Sequence, residues 1–170
     1  GFLHGRHHRA GYRKGQKNGG GSLAPKSAKR FSDEDLDMAD TLKLELVSPE
    51  RLLLSEQVEM VLVPGAEGVF GVLPRHAPLI STLKPGFVQV YTGGVVTQSF
   101  FVTGGFAEVT PVSCTVLVDE AIPQTTLTRE FAAGRLSEAK ARIAQAATED
   151  DRRLAAVALV NAEAMVQAAA

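Results

Sequence analysis

The sequence predicts an α+β fold: an N-terminal antiparallel β-sandwich or barrel over 41–122, followed by an antiparallel two-helix hairpin over 123–170. Three observations predict it. Apolar residues alternate with polar ones from Thr41 to about Ile122, the period of half-buried strands. Turn residues punctuate that region every 8–12 residues with no helical pattern between them, as in all-β sandwiches and barrels. Past Pro123 the apolar period lengthens to that of a helix.

In chain order, Leu42, Leu44 and Leu46 alternate with Lys43 and Glu45 and predict a strand with one buried face. Val58, Met60 and Leu62 predict a second, stopped at Pro64-Gly65. Phe87 to Tyr91 and Val95 to Val102 are β-branched and aromatic. The Gly93-Gly94 pair between them suits a tight hairpin that needs positive φ. A turn at Gly104-Gly105 leads to Phe106–Val109, and after Pro111 comes Cys114–Val118. Ala132, Leu136, Ala139, Ile143 and Ala146 form one stripe of a first helix, with Glu138 and Arg142 placed for an i,i+4 pair. Thr148 is expected to cap a second helix, from about Asp151 to Gln167, with Glu149, Asp150 and Asp151 at the positive end of its dipole. Alanine-rich faces and a short connection make the helices close antiparallel neighbours.

The 170 residues allow one domain with an appendage, and 45% apolar content supports a core. A net charge of -1 argues against nucleic-acid binding, although eight Lys or Arg and no acid fall within 1–30. Residues 1–40 lack any hydrophobic period and are expected to be a disordered leader or non-native extension, with Met38 a natural start. A mitochondrial presequence is the alternative. No stretch reaches the roughly 18 apolar residues of a transmembrane helix, so membrane association is expected only through partners.

Reactive chemistry is hard to assemble from this sequence. No Walker-type phosphate loop exists, and Gly65, Gly68 and Gly71 read as backbone turns. The single cysteine, Cys114, lies in an apolar strand and predicts a buried, inert thiol in a reducing compartment. His76 is the one histidine past residue 40, stiffened by Pro74 and Pro78, so neither a zinc site nor a nucleophilic triad can form around it. It is expected either to bond main chain within its loop or to make a fixed contact with a partner. Catalytic residues, metal and cofactors are all expected to be absent. A carbohydrate-binding β-domain would expose aromatics for stacking, but the chain has no Trp and only two Tyr.

The run from Pro64 through Gly65-Ala66-Glu67-Gly68-Val69-Phe70-Gly71 to Pro74-Arg75-His76-Ala77-Pro78, continuing to Leu83-Lys84-Pro85-Gly86, resembles the hallmark segment of F-type ATP synthase epsilon subunits. Phe101–Val109 and the opening Leu46-Val47-Ser48-Pro49-Glu50 resemble the same family, whose mitochondrial counterpart is called delta. The resemblance implies a non-catalytic central-stalk subunit that couples the gamma subunit to the c-ring. It implies a gamma interface at Arg75, His76 and Pro78, and a ring-facing loop at Ala66, Glu67, Gly68, Val69 and Phe70. Some relatives carry an acid where this chain has Val69; Glu67 lies two positions earlier. The implied location is the cytoplasmic face of a bacterial inner membrane, or the matrix side of the mitochondrial one.

The resemblance also implies a hairpin that swings between a compact state and an extended one that touches alpha and beta subunits and blocks ATP hydrolysis. Some members bind ATP through an Ile/Leu-Asp-x-x-Arg-Ala motif. The equivalent stretch here, Leu127 to Ala132, has Thr128 for the aspartate and Phe131 for the arginine, so no nucleotide site is expected. With Arg152 and Arg153 the only cations of the second helix, inhibition is expected to be weak.

Overall fold

The computed structural model describes residues 41–169. Ten strands run β1 (Leu42–Val47), β2 (Leu52–Val58), β3 (Met60–Gly65), β4 (Gly68–Val72), β5 (Leu79–Leu83), β6 (Gly86–Thr92), β7 (Val95–Val102), β8 (Gly105–Val109), β9 (Ser113–Val118) and β10 (Ala121–Pro123). Two helices follow, called α1 (Arg129–Gln145) and α2 (Glu149–Ala168). Residues 1–40, for which a leader was expected, lie outside the described residues.

The strands form one path, β10-β7-β6-β3-β5-β8-β9-β1-β2, with β4 pairing β3 off it. β3 passes from one neighbour to another along its length. Met60–Leu62 pair with β6, whereas Gly65 pairs with Leu83 of β5. The sheet therefore curls at β3, and its two halves close on a common core. Val88, Val90 and Val102 from one half meet Leu44, Leu46, Ala107 and Val116 from the other. Every pairing is antiparallel except β1 with β9, where Leu44 lies opposite Cys114.

Most strand expectations hold. Leu42, Leu44 and Leu46 are fully buried, and Gly93 and Gly94, at φ 64° and 72°, form the tight turn between β6 and β7. The phase of the second predicted strand is different. Val58, Val61 and Val63 are buried, whereas Met60 and Leu62 are only partly covered. The chain bends at Glu59, whose N–H donates to the Tyr91 carbonyl at 3.1 Å, and whose carboxylate accepts from the Gly94 N–H at 3.1 Å. One residue spent in that bend exchanges the inward and outward faces, because side chains alternate with period two. Pro64 and Gly65 also continue β3 rather than stopping it, Pro64 accepting at its carbonyl from the Lys84 N–H at 3.0 Å.

The helices begin at caps. Thr128 Oγ1 accepts from the Phe131 N–H at 3.2 Å. Thr148 and Asp151 form a reciprocal capping box, so α2 starts two residues before the expected point. Glu138 and Arg142 pair at 3.0 Å as their spacing requires. The helices meet through Ala132 and Ala139 of α1 and Ala155, Ala162 and Met165 of α2, all buried, and the small side chains permit close approach. Ile143, expected in this stripe, is 38% exposed near the turn that joins the two helices. The hairpin rests on the sandwich through a second apolar cluster of Phe101, Ile122, Leu127, Ala132 and Met165, with Phe87, Phe131 and Ala168 at its margin.

Candidate functional site

Two segments singled out from the sequence lie at opposite ends of β5. Ala66 N–H donates to the Thr82 carbonyl at 2.9 Å, which ties the tip of the β3–β4 hairpin to the end of β5. Arg75, His76 and Pro78 precede the start of β5. The separation is on the order of 15 Å, from five strand residues at about 3.3 Å each. The two segments are close in sequence yet cannot serve one ligand.

The expected loop at 66–70 is smaller than expected. Ala66 and Glu67 alone form the turn, while Gly68, Val69 and Phe70 belong to β4 and pair with Gly65, Pro64 and Val63. The reason is local: Phe70 folds its ring over Gly65, where a Cβ would lie 2.8 Å from that ring. Ala66, Glu67 and Val69 remain exposed at the tip.

In the second segment, Arg75 adopts φ 65°, the one positive φ of a non-glycine residue among the described residues. Its N–H donates to the Pro111 carbonyl at 2.7 Å, and the His76 N–H donates to the Leu73 carbonyl at 3.1 Å. A left-handed arginine costs about 1–2 kcal/mol, so the surrounding bonds hold a strained turn in place. His76 donates from Nδ1 to the Ala77 carbonyl at 2.6 Å, a main-chain bond that was one of its two expected roles. Arg75 and Pro78 are exposed, and His76 is half-buried.

The sequence reading missed the surface between these ends. On the outward face of β5, β8, β9, β1 and β2, Phe106 lies opposite Thr82 and Leu117, Leu117 opposite Val47, and Val47 opposite Leu52. Ile80 is 74% exposed, Phe106 and Leu52 are each 55% exposed and Leu117 is 47% exposed. A hollow of about 390 Å³ between Val47, Pro49, Phe106 and Leu117 opens onto this row. Alternation could have found it. Ala107 and Val109 face inward, so Phe106 must face out, and Leu117 must do so between Val116 and Val118.

Chemically the described residues are quiet. No group of three or more His, Cys, Asp or Glu among them could hold a metal, and none of their helices is long and apolar enough to cross a membrane. Cys114 is buried, and burial pushes its thiol up from 9 to about 12. The altered motif residues have other work. Thr128 caps α1, and Phe131 borders the apolar seam with its ring 5.6 Å from the Arg135 guanidinium.

A curled β-sandwich carrying a docked helical hairpin and a bare apolar face defines a subunit built for assembly. The family model described as "ATP synthase, Delta/Epsilon chain, beta-sandwich domain" matches residues 41–124. The ATP synthase epsilon chain of Rhodospirillum rubrum is 53% identical over 131 residues, covering 77% of this chain and 98% of that one. The epsilon chain of Paramagnetospirillum magneticum is 48% identical over 133 residues, covering 78% and 100%. Among solved structures, a chain of the Euglena gracilis mitochondrial ATP synthase, OSCP/F1/c-ring in rotational state 1, matches with TM-score 0.63 and 28% identity. The match covers 76% of this chain and 81% of that one. A chain of the Tetrahymena thermophila mitochondrial ATP synthase central stalk/c-ring shares the fold, with TM-score 0.51 and 13% identity over 76% and 96%. The chain belongs to the ATP synthase epsilon chain family, whose members are non-catalytic subunits of the complex.

Proposed function

We propose that this chain couples the gamma subunit to the c-ring in the central stalk of an F-type ATP synthase, with the apolar face of β5, β8, β9, β1 and β2 seated on gamma. The observation that carries the reading is the row Phe106–Leu117–Val47–Leu52 with Ile80 beside it. A contiguous apolar patch on a small domain signals a partner surface. Arg75, His76 and Pro78 border one end of that face and extend the gamma contact. Ala66, Glu67, Gly68, Val69 and Phe70, at the other end, meet the ring. The Euglena gracilis neighbour comes from an assembly that contains F1 and the c-ring, which supports both partners. The subunit works at the cytoplasmic face of a bacterial inner membrane, held there by the complex; relatives from Rhodospirillum rubrum and Paramagnetospirillum magneticum favour this over a mitochondrial matrix location.

Binding of purified gamma to the full chain tests the reading. Phe106→Glu and Leu117→Glu each place a charge in a desolvated contact and are expected to weaken binding at least about tenfold. Both residues face away from the sandwich core, so urea stability should change by less than about 1 kcal/mol. Unchanged gamma affinity in both variants sinks the proposal.

The body at 123–170 acts mainly as a brace folded onto the body at 41–122, with at most transient contact to alpha and beta subunits. Thr128 and Phe131 are engaged in the cap and the seam, which supports the absence of an ATP site. Deleting 124–170 should leave ATP hydrolysis by the assembled enzyme nearly unchanged; a several-fold rise contradicts the brace. Calorimetry on the full chain should register no micromolar ATP binding.

A further inference from the structure

We propose that Arg135 is a latch that holds the helical hairpin against the sandwich, gripping Glu120 with its guanidinium while lying on the ring of Phe131. The inference rests on the reading of the hairpin as a brace and names what keeps it in place.

Among the described residues, the helices otherwise meet the strands through the apolar cluster around Phe101 and Met165. Among the described residues, the Arg135–Glu120 ion pair is the single salt bridge and the single side-chain hydrogen bond that joins a helix to a strand or strand turn. The remaining ion pairs lie within β1, within α1 and within α2. Apolar contact is non-directional, so Phe87, Phe101 and Ile122 could receive the hairpin in several rotations. A charge-assisted hydrogen bond between Arg135 and Glu120 is directional and favours one of them.

Both partners are held ready. The Glu120 carbonyl accepts from the Thr103 N–H at 3.2 Å, and the neighbouring Asp119 N–H donates to the Gly104 carbonyl at 3.3 Å, which fixes the β9–β10 turn against the β7–β8 turn. On α1, Phe131 and Arg135 are four residues apart and so share a helix face. With Cζ 5.6 Å from the ring centroid, stacking limits where the guanidinium can point. The pair also separates two clefts. One, of about 170 Å³, lies among Glu138, Arg142 and Asn161; the other, of about 430 Å³, lies beside Pro49, Glu50 and Arg51. Salt therefore has access to the latch, which can be released without disturbing the core.

Pulsed dipolar spectroscopy on the full chain, with nitroxides at Thr97→Cys and Glu163→Cys, reads the fraction of molecules whose hairpin has left the sandwich. Arg135→Met and Glu120→Gln should each raise that fraction by up to about fivefold, the worth of a half-exposed ion pair. Arg135→Lys keeps the charge but loses the planar guanidinium that the Phe131 ring orients towards Glu120, and should fall between. The exchange Arg135→Glu with Glu120→Arg should recover part of the docked population that either reversal alone loses. Raising the salt should loosen the native chain but not Arg135→Met. The latch is disproved if the single variants leave the distance distribution unchanged, or if the charge exchange only adds the two separate losses. These distances are measured without the synthase, so the latch can fail while the brace survives the deletion assay, and the reverse.

Discussion

The rings of Phe87 and Phe101 meet edge-on, with centroids 5.6 Å apart and planes at 84°, and together they floor the seam on which the helical hairpin rests. The two residues face each other across β6 and β7, and the alternation of those strands turns Val88 and Val102 inward to the sandwich core. One pair of neighbouring strands therefore serves two apolar clusters, one on each face.

Truncating the buried member of that pair should undo the seam. Phe101 is 1% exposed, and Phe101→Ala removes an aromatic ring from both the strand pair and the helix contact. A loss of about 3–5 kcal/mol is expected in urea unfolding of the full chain. A loss below 1 kcal/mol would mean that the hairpin adds little to this cluster.

Two glycines should respond in opposite directions. A Cβ at Gly105 would collide with the Leu117 carbonyl, and φ there is 130°. Gly105→Ala must therefore force β8 away from β9, and a loss of more than about 3 kcal/mol or failure to fold is expected. Gly134 sits in α1 with nothing near its missing Cβ, so Gly134→Ala should stabilise by about 0.5–1 kcal/mol. Thermal unfolding of both variants checks the contrast.

Arg75→Gly removes the left-handed strain of the turn before β5. Relief of about 1 kcal/mol is partly offset by the extra freedom that glycine gives the unfolded chain. Stability should stay level or rise slightly in urea titration, while gamma binding should weaken through loss of the charge. A marked fall in stability would show that the Arg75 side chain, and not its backbone, holds the turn.

Cys114 links stability to alkaline pH. Its thiol is pushed up to about 12 in the folded chain, against 9 ordinarily. Above pH 9 the unfolded chain gives up this proton while the folded chain keeps it. The stability contribution is therefore full below 9 and is lost as pH rises towards 12, at up to about 1.4 kcal/mol per pH unit. Cys114→Val should lack that component, so the gap between the two urea-stability profiles should change with pH only above 9. Iodoacetamide at pH 8 should leave the native thiol unmodified.

Local pattern made much of this fold legible, and long-range closure hid the rest. Leu42, Leu44 and Leu46 obey simple alternation because β1 runs straight between β9 and β2. The Val58–Leu62 run misled because the bend at Glu59 is held by Tyr91 and Gly94, more than thirty residues away. β4 and β5 gave weak signals for a related reason. Gly68 and Gly71 look like turn residues, and β5 turns Leu79 and Ile80 to the exposed side, which blurs its alternation. Among the candidate site residues, His76 stood out through the prolines around it, whereas the gamma interface at Arg75, His76 and Pro78 was implied only by the family resemblance. Phe106 and Leu117 did not stand out, since an outward apolar residue becomes conspicuous only when five strands align such residues in one row.

The one parallel pairing among the described residues, β1 beside β9, bears on how the chain is made. The strand that leaves the ribosome early finds its inner neighbour only after roughly 70 further residues, a separation that slows closure of the sheet. During translation the Leu42–Leu46 row lacks its cover on that side, so nascent chains stalled before Cys114 should depend on a chaperone, whereas those released beyond Val118 should not.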